Sequence, residues 1–320
     1  MDKIKNVLFK LIETPTLISI LAGSALVFWQ FLTGALPPSV QIVFFAVFIL
    51  LTGIPHGAID HLVEERTAEK QGKSFDLIVF IAKYLLIMAF YGLMWYVLPS
   101  VSLLFFLFIS AWHFGETDIE KAPETALWNI TRFIFGSFIL LFILLIHNVE
   151  TTPILERISQ NNSAVLSIYF LLIQFKMPIL IINLIGAFIL FYLANKQHLI
   201  TINKAHYGRL FLILIMTYFL PLLPAFALYF GGWHALCSFN SIHNYISENK
   251  VDKEYFSSFL ILKTWTKTLL FSFLAIIFLS FSTWYWLHFL QTWDPIPMLF
   301  IFLSLITLPH LNVMHKMNLV

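Results

Sequence analysis

Long hydrocarbon runs separated by short polar breaks make up the chain, and the breaks predict its elements. Apolar stretches lie near 15–34, 39–62, 76–97, 100–114, 127–147, 163–194, 209–221, 224–246, 264–290 and 296–314. Runs of about twenty apolar residues cross a bilayer as helices. The pattern therefore predicts an all-α fold, a polytopic integral membrane helical bundle of about ten transmembrane helices (range 8–10), with residues 1–320 as a single transmembrane domain. Two stretches admit a second reading. Lys176 and Pro178 interrupt 163–194, and 209–246 crosses twice only if "PLLP", Pro221 to Pro224, is a hairpin turn.

Loop charge arbitrates, because Lys and Arg collect on the cytoplasmic side. With the N-terminus inside, that side holds Lys3, Lys5, Lys10, Arg66, Lys70, Lys73, Lys121, Lys196, Lys204, Lys250, Lys253, Lys263 and Lys316, and the other side holds only Arg157. The bias requires 163–194 to be one kinked crossing and 209–246 to be two, and it predicts that both termini are cytoplasmic. The basic N-terminal start has no small-residue cleavage site after its apolar run, so it is read as the first span and not as a removed signal. The predicted location is the inner (plasma) membrane of a bacterial or archaeal cell.

Composition narrows the classes. At 59% hydrophobic and 11% charged, against about 25% charged in soluble proteins, no segment remains for a soluble domain. The net charge of +2 is scattered through short loops, which argues against nucleic acid as a partner. A single cysteine, Cys237, excludes an intramolecular disulfide.

Eleven histidines are many for so apolar a chain. His198 and His206 fall in a polar cytoplasmic loop and His147 and His288 at outer helix ends, and these four are read as structural or solvated. The others gather at one depth. His56 and His61 lie near the inner end of the second predicted helix, His113 at that of the fourth, His234 within the eighth, His243 at its inner end, and His310 and His315 near that of the tenth. Ionisable side chains inside a membrane are costly and point to function.

Their contexts repeat: "IPHGAID", "SAWHFGETD", "GGWHALCSF" and "LPHLNVMHK". Proline kinks a helix and frees a carbonyl, glycine admits a close neighbour, and neutral imidazole is the commonest ligand of Zn, Cu, Fe and Ni. The combination suggests a metal. Asp60, Glu116 and Asp118 are placed to accept the second ring N–H of a ligating histidine, the plainer alternative being interfacial charges that flank a helix.

"GIPHGAIDH", "WHFGETD", a later "WH" after an aromatic-rich run and a terminal "PH" together resemble the Blh, or bacteriorhodopsin-related-protein, family of bacterial and archaeal β-carotene 15,15′-dioxygenases, over about residues 40 to 315. The resemblance implies a membrane-embedded non-haem Fe(2+) enzyme that uses O2 to split the central double bond of β-carotene or a related carotenoid, giving two retinal molecules. It also implies a functional link to a retinal-binding rhodopsin, and iron ligation by His56, His113 and His234. Many members show "WHxxxH", whereas Ser238 stands four residues after His234 here. The candidates for the missing ligand are His310, His61 and His243. On a regular helix His243 lies about half a turn out of phase with His234, and His61 about 140° round from His56. His310 comes from another helix, follows a proline and has the right depth, so it ranks first.

The aromatic content, 35 Phe, 11 Tyr and 9 Trp, suits an apolar tunnel for a polyene as well as lipid contact. Oxidative cleavage of a double bond requires no acid–base pair. Three other classes compete. A membrane di-iron hydroxylase would show HxxxH and HxxHH spacings that are missing here, and a transporter would show inverted repeats. A non-catalytic carotenoid-binding or rhodopsin-accessory protein is the remaining alternative, separated by its iron content.

Overall fold

The computed structural model describes residues 16–119, 122–247, 263–289 and 296–319. Lys3, Lys5, Lys10, Lys121, Lys250 and Lys253 lie outside the described residues, as do the ends of the predicted 15–34 and 264–290 elements. The described residues form helices and no strand: α1 (Thr16–Thr33), α2 (Pro38–Phe48), α3 (Ile54–Ala58), α4 (Asp60–Lys70), α5 (Leu77–Val97), α6 (Pro99–Asp118), α7 (Ala126–Ile146), α8 (Asn148–Ile158), α9 (Ser163–Gln174), α10 (Lys176–Gln197), α11 (Lys204–Phe219), α12 (Leu222–Tyr229), α13 (Leu236–Ser247), α14 (Leu269–Phe289) and α15 (Ile296–Leu319). Two π-helical turns, Ile49–Gly53 and Phe230–Ala235, join α2 to α3 and α12 to α13.

Eight helices or continuous helical runs among the described residues are long and apolar enough to cross a membrane, the architecture of a polytopic helical membrane protein. They include Pro38–Lys70 and Leu222–Ser247, each carried through its π turn. Ser163–Gln174 and Leu269–Tyr285 are apolar but shorter. The 163–194 stretch is not one continuous helix: α9 ends at Gln174, Phe175 caps it, and α10 begins at Lys176. At "PLLP" the chain leaves helix at Leu220 and Pro221 (ψ 154° and 161°), and α11 and α12 pack together across the break. α8, with Pro153 in its interior, is a helix that the hydropathy pattern leaves among the polar breaks.

Local chemistry explains the boundaries. Asp76 caps α5 by accepting from the backbone N–H groups of Ile78 and Val79, and Asn162 caps α9 in the same way. Asn203 accepts from the N–H of His206, starting α11 before the apolar run begins. Pro99 opens α6 at a position where its missing N–H is no loss.

The chain divides into two compact units. In the first, Met1–Arg66 with Ile202–Phe273, the Leu222–Ser247 run is the most buried of the eight spans, α2 packs on α12, and α1 packs on α11. The two π turns meet each other. A Cβ on Gly231 would stand 2.8 Å from Phe48 Cβ, so this glycine sets how closely α2 approaches.

In the second unit, Thr67–Thr201 with Leu274–Val320, α6 and α7 touch at backbone distance. A Cβ on Gly115 would fall 1.8 Å from the Arg132 carbonyl oxygen, and one on Gly136 would fall 1.8 Å from that of Ala111. α15 packs on α5 and α6, tied by Trp95 Nε1, which donates to Ser304 Oγ at 2.7 Å.

Backbone contacts cannot yield by rotamer change, so Gly115→Ala or Gly136→Ala should cost at least about 3 kcal/mol, the upper range for overpacking. Gly186→Ala, whose Cβ meets nothing within 4 Å, should be neutral or slightly stabilising. Thermal unfolding of the three variants in detergent, read against the parent, checks this.

Candidate functional site

Pro55 has no N–H to offer the carbonyl of Leu51 four residues earlier. Trp265 Nε1 donates to that carbonyl at 3.0 Å. The π turn just before the proline, closed by the Ile54 N–H bonding to the Ile49 carbonyl, widens the helix at the same point. His56 Nδ1 then donates to the carbonyl of Gly53. A carbonyl only accepts, so Nδ1 carries the proton and Nε2 keeps its lone pair, the tautomer a ligating imidazole needs.

His234 lies inside the second π turn and is fully buried. Its ring centroid is 5.6 Å from that of His56, with the planes at 88°. Phe230 joins them, edge to face with His56 at 5.6 Å and stacked on His234 at 5.8 Å. The first unit therefore presents two buried imidazoles, both placed by departures from α-helical winding.

The second unit carries the other pair. His113 on α6 and His310 on α15 are 3% and 2% exposed, with centroids 4.9 Å apart and planes at 89°. The Gly115–Arg132 contact lies two residues from His113, and Pro309 sits within α15 next to His310. On the same two helices Glu116 Oε1 lies 3.6 Å from His315 Nδ1. Asp60 and Asp118 are buried.

The predicted residues thus sort into His56 with His234 and His113 with His310. His61 turns to Phe271, with centroids 4.5 Å apart, and its Nδ1 meets the Ala58 carbonyl. His243 Nδ1 shares a hydrogen bond of 2.8 Å with Thr264 Oγ1. Ser238 is buried at 1% exposure. The expectation of a loop for His206 is wrong: it lies in the first turn of α11, 2% exposed, its ring 4.7 Å from that of Trp233 beside His234. His147 is also buried, with Nδ1 bonded to the Ile143 carbonyl at 2.8 Å. Sequence reasoning missed Phe230, Trp265 and His206. The Asn203 cap signal, three residues before His206, was the one available clue.

Each pair offers donors that fit a divalent transition metal. All four rings are buried and His56 is tautomerically fixed, and neutral imidazole nitrogens suit Zn, Cu, Fe and Ni.

The family model described as "Beta-carotene 15,15'-dioxygenase" matches residues 47–318. A curated "Beta-carotene 15,15'-dioxygenase" from uncultured marine bacterium 66A03 is 26% identical over 218 residues, which is 67% of this chain and 74% of that protein. No solved structure gives a significant match.

The His206 ring fills space against Trp233, so His206→Ala should lose on the order of 2–3 kcal/mol through the cavity left behind. His206→Phe, which keeps a ring there, should stay within about 1.5 kcal/mol of the parent. Unfolding midpoints of the two variants, with Trp fluorescence as the probe, measure the difference.

Proposed function

Because the chain belongs to the β-carotene 15,15′-dioxygenase family, we propose that it cleaves the central double bond of β-carotene with O2, giving two retinal molecules. His56, His113, His234 and His310 would hold one Fe(2+) for this reaction. The observation that carries the reading is the burial of four imidazoles as two perpendicular, closely spaced pairs on helices long enough to span a membrane.

The reaction balances without a co-reactant: one C=C bond and one O2 become two aldehyde C=O groups. Iron, when bound, supplies the activation of O2 that a singlet polyene cannot achieve unaided. The residues of the chain do the rest. The Gly53 carbonyl holds the proton of His56 on Nδ1, so Nε2 is the nitrogen that would ligate a metal. Phe230 lies against both His56 and His234 and excludes water from that side. No charged anchor is needed, since the substrate is hydrocarbon from end to end.

The protein works as a multi-pass protein of the bacterial or archaeal inner membrane with both termini cytoplasmic, as its lysine distribution favours. A retinal-binding rhodopsin would consume the product.

Expression in a β-carotene-producing bacterium, with carotene loss and retinal measured by chromatography, tests the activity. Retinal should accumulate at the expense of carotene. Intact carotene alongside an iron-free protein would favour a non-catalytic carotenoid-binding role.

His56→Ala, His113→Ala, His234→Ala and His310→Ala should each lose iron and cleavage, at least about a hundredfold in activity, while still inserting in the membrane. His61→Ala and His243→Ala should keep both. Metal analysis of the purified variants decides each assignment, and an iron-replete His310→Ala protein would remove that residue from the set.

A further inference from the structure

Three rings follow one another along a single face of the Leu222–Ser247 run. Phe226 and Phe230 have centroids 5.3 Å apart and planes within 13°, and Phe230 and His234 are 5.8 Å apart and within 15°. Phe45 on α2 extends the file, 6.3 Å from Phe226 at 31°. Against the 13° and 15° of those two pairs, ring pairs elsewhere on the spans meet more steeply, as do Phe108 with Phe133 at 44° and Phe281 with Trp284 at 33°.

Burial follows the same line. Leu223, Phe226 and Phe230 are half-buried, while Ala225, Ala227, Leu228 and Tyr229 between them are buried. The less covered stripe runs down the helix and ends at fully buried His234.

The π turn produces this alignment. Four residues of α-helix overshoot one turn by about 40°, so a regular helix would carry His234 progressively off the face of Phe226 and Phe230. The wider Phe230–Ala235 turn takes more residues per revolution, so four residues fall short and His234 swings back into line. Gly53 lets the file lie close to the first histidine segment, since a Cβ there would stand 3.1 Å from Phe230 Cε1.

We propose that Phe45, Phe226 and Phe230 form the wall along which one arm of the polyene lies, its reacting centre delivered to the His56 and His234 end. The assignment rests on the carotenoid-cleavage reading above. Phe226, Phe230 and His234 share one ring orientation and Phe45 stands tilted beside them, so a conjugated chain laid along the file meets a continuous aromatic surface, the contact its π-system favours. From Phe226 to His234 the helix rises about 12 Å, the scale of a polyene arm and too long for a small apolar ligand.

The test is a titration of the purified protein with β-carotene under argon, where binding proceeds and cleavage does not, following the visible absorption band. Phe226→Ala should weaken binding about tenfold, the size expected when an aromatic partner is lost, and Phe226→Tyr should restore it to within about twofold. Phe281→Ala, at a position 61% exposed, should bind like the parent. Phe45→Leu probes the same wall from a separate helix and should weaken binding severalfold if Phe226→Ala fails to fold. Equal affinities for the parent, Phe226→Ala and Phe45→Leu, or no binding by the parent, would overturn the wall. Admitting oxygen to the parent reports separately on cleavage: binding without retinal formation keeps the wall and rejects the activity.

Discussion

A hydrocarbon interior offers no water to a backbone carbonyl or an imidazole nitrogen, so every polar group placed there must find its partner within the protein. That constraint organises the first unit around Pro55. The proline removes a donor from the helix, Trp265 supplies one to the Leu51 carbonyl, and the Gly53 carbonyl takes the Nδ1 proton of His56. What would be a defect in a plain membrane span becomes the means of fixing one ring and its tautomer. His234 depends on a comparable departure, the second π turn, and the two turns pack on each other. The second unit reaches its own histidine pair by another route, with backbones in contact at Gly115 and Gly136 and a proline set within α15.

Histidine would suit these positions as a ligand because it is neutral when it ligates, so a buried site of the proposed kind escapes the cost of isolated carboxylates in hydrocarbon. Glu116, on the helix that carries His113, lies against His315, whose side chain is 43% exposed, and this gives the acid a partner toward the outside. Phe230 touches both His56 and His234 while continuing the aromatic file, so on the proposed reading one side chain would serve both the ligands and the substrate.

The helices were legible because hydrocarbon length is a strong signal, and the Asp76, Asn162 and Asn203 caps mark several starts that the structure uses. The Pro-His and Trp-His contexts drew attention to His56, His113, His234 and His310, and a separate helix, depth and a preceding proline ranked His310 first for the place left by Ser238; the structure sets it beside His113. Other features leave no mark in hydropathy. A π turn has the same composition as the α-helix around it, so the realignment of His234 was hidden and phase arguments based on a regular helix did not apply to it. The break at Phe175 falls inside a continuous apolar run, with Lys176 and Pro178 its one visible trace. α8 was hidden by Glu150, Pro153 and Arg157, which read as a loop. His206 looked solvated from its polar neighbours because its partner, Trp233, is distant in sequence.

X-ray absorption at the iron edge of the purified, membrane-extracted protein tests the central claim most directly, because it counts imidazoles around the metal independently of turnover. One iron per chain is expected, with nitrogen neighbours at about 2.0–2.2 Å as for other metal–imidazole bonds and outer-shell scattering from four rings. An iron-free protein, two irons per chain, or a shell dominated by oxygen with two or fewer imidazoles would contradict it.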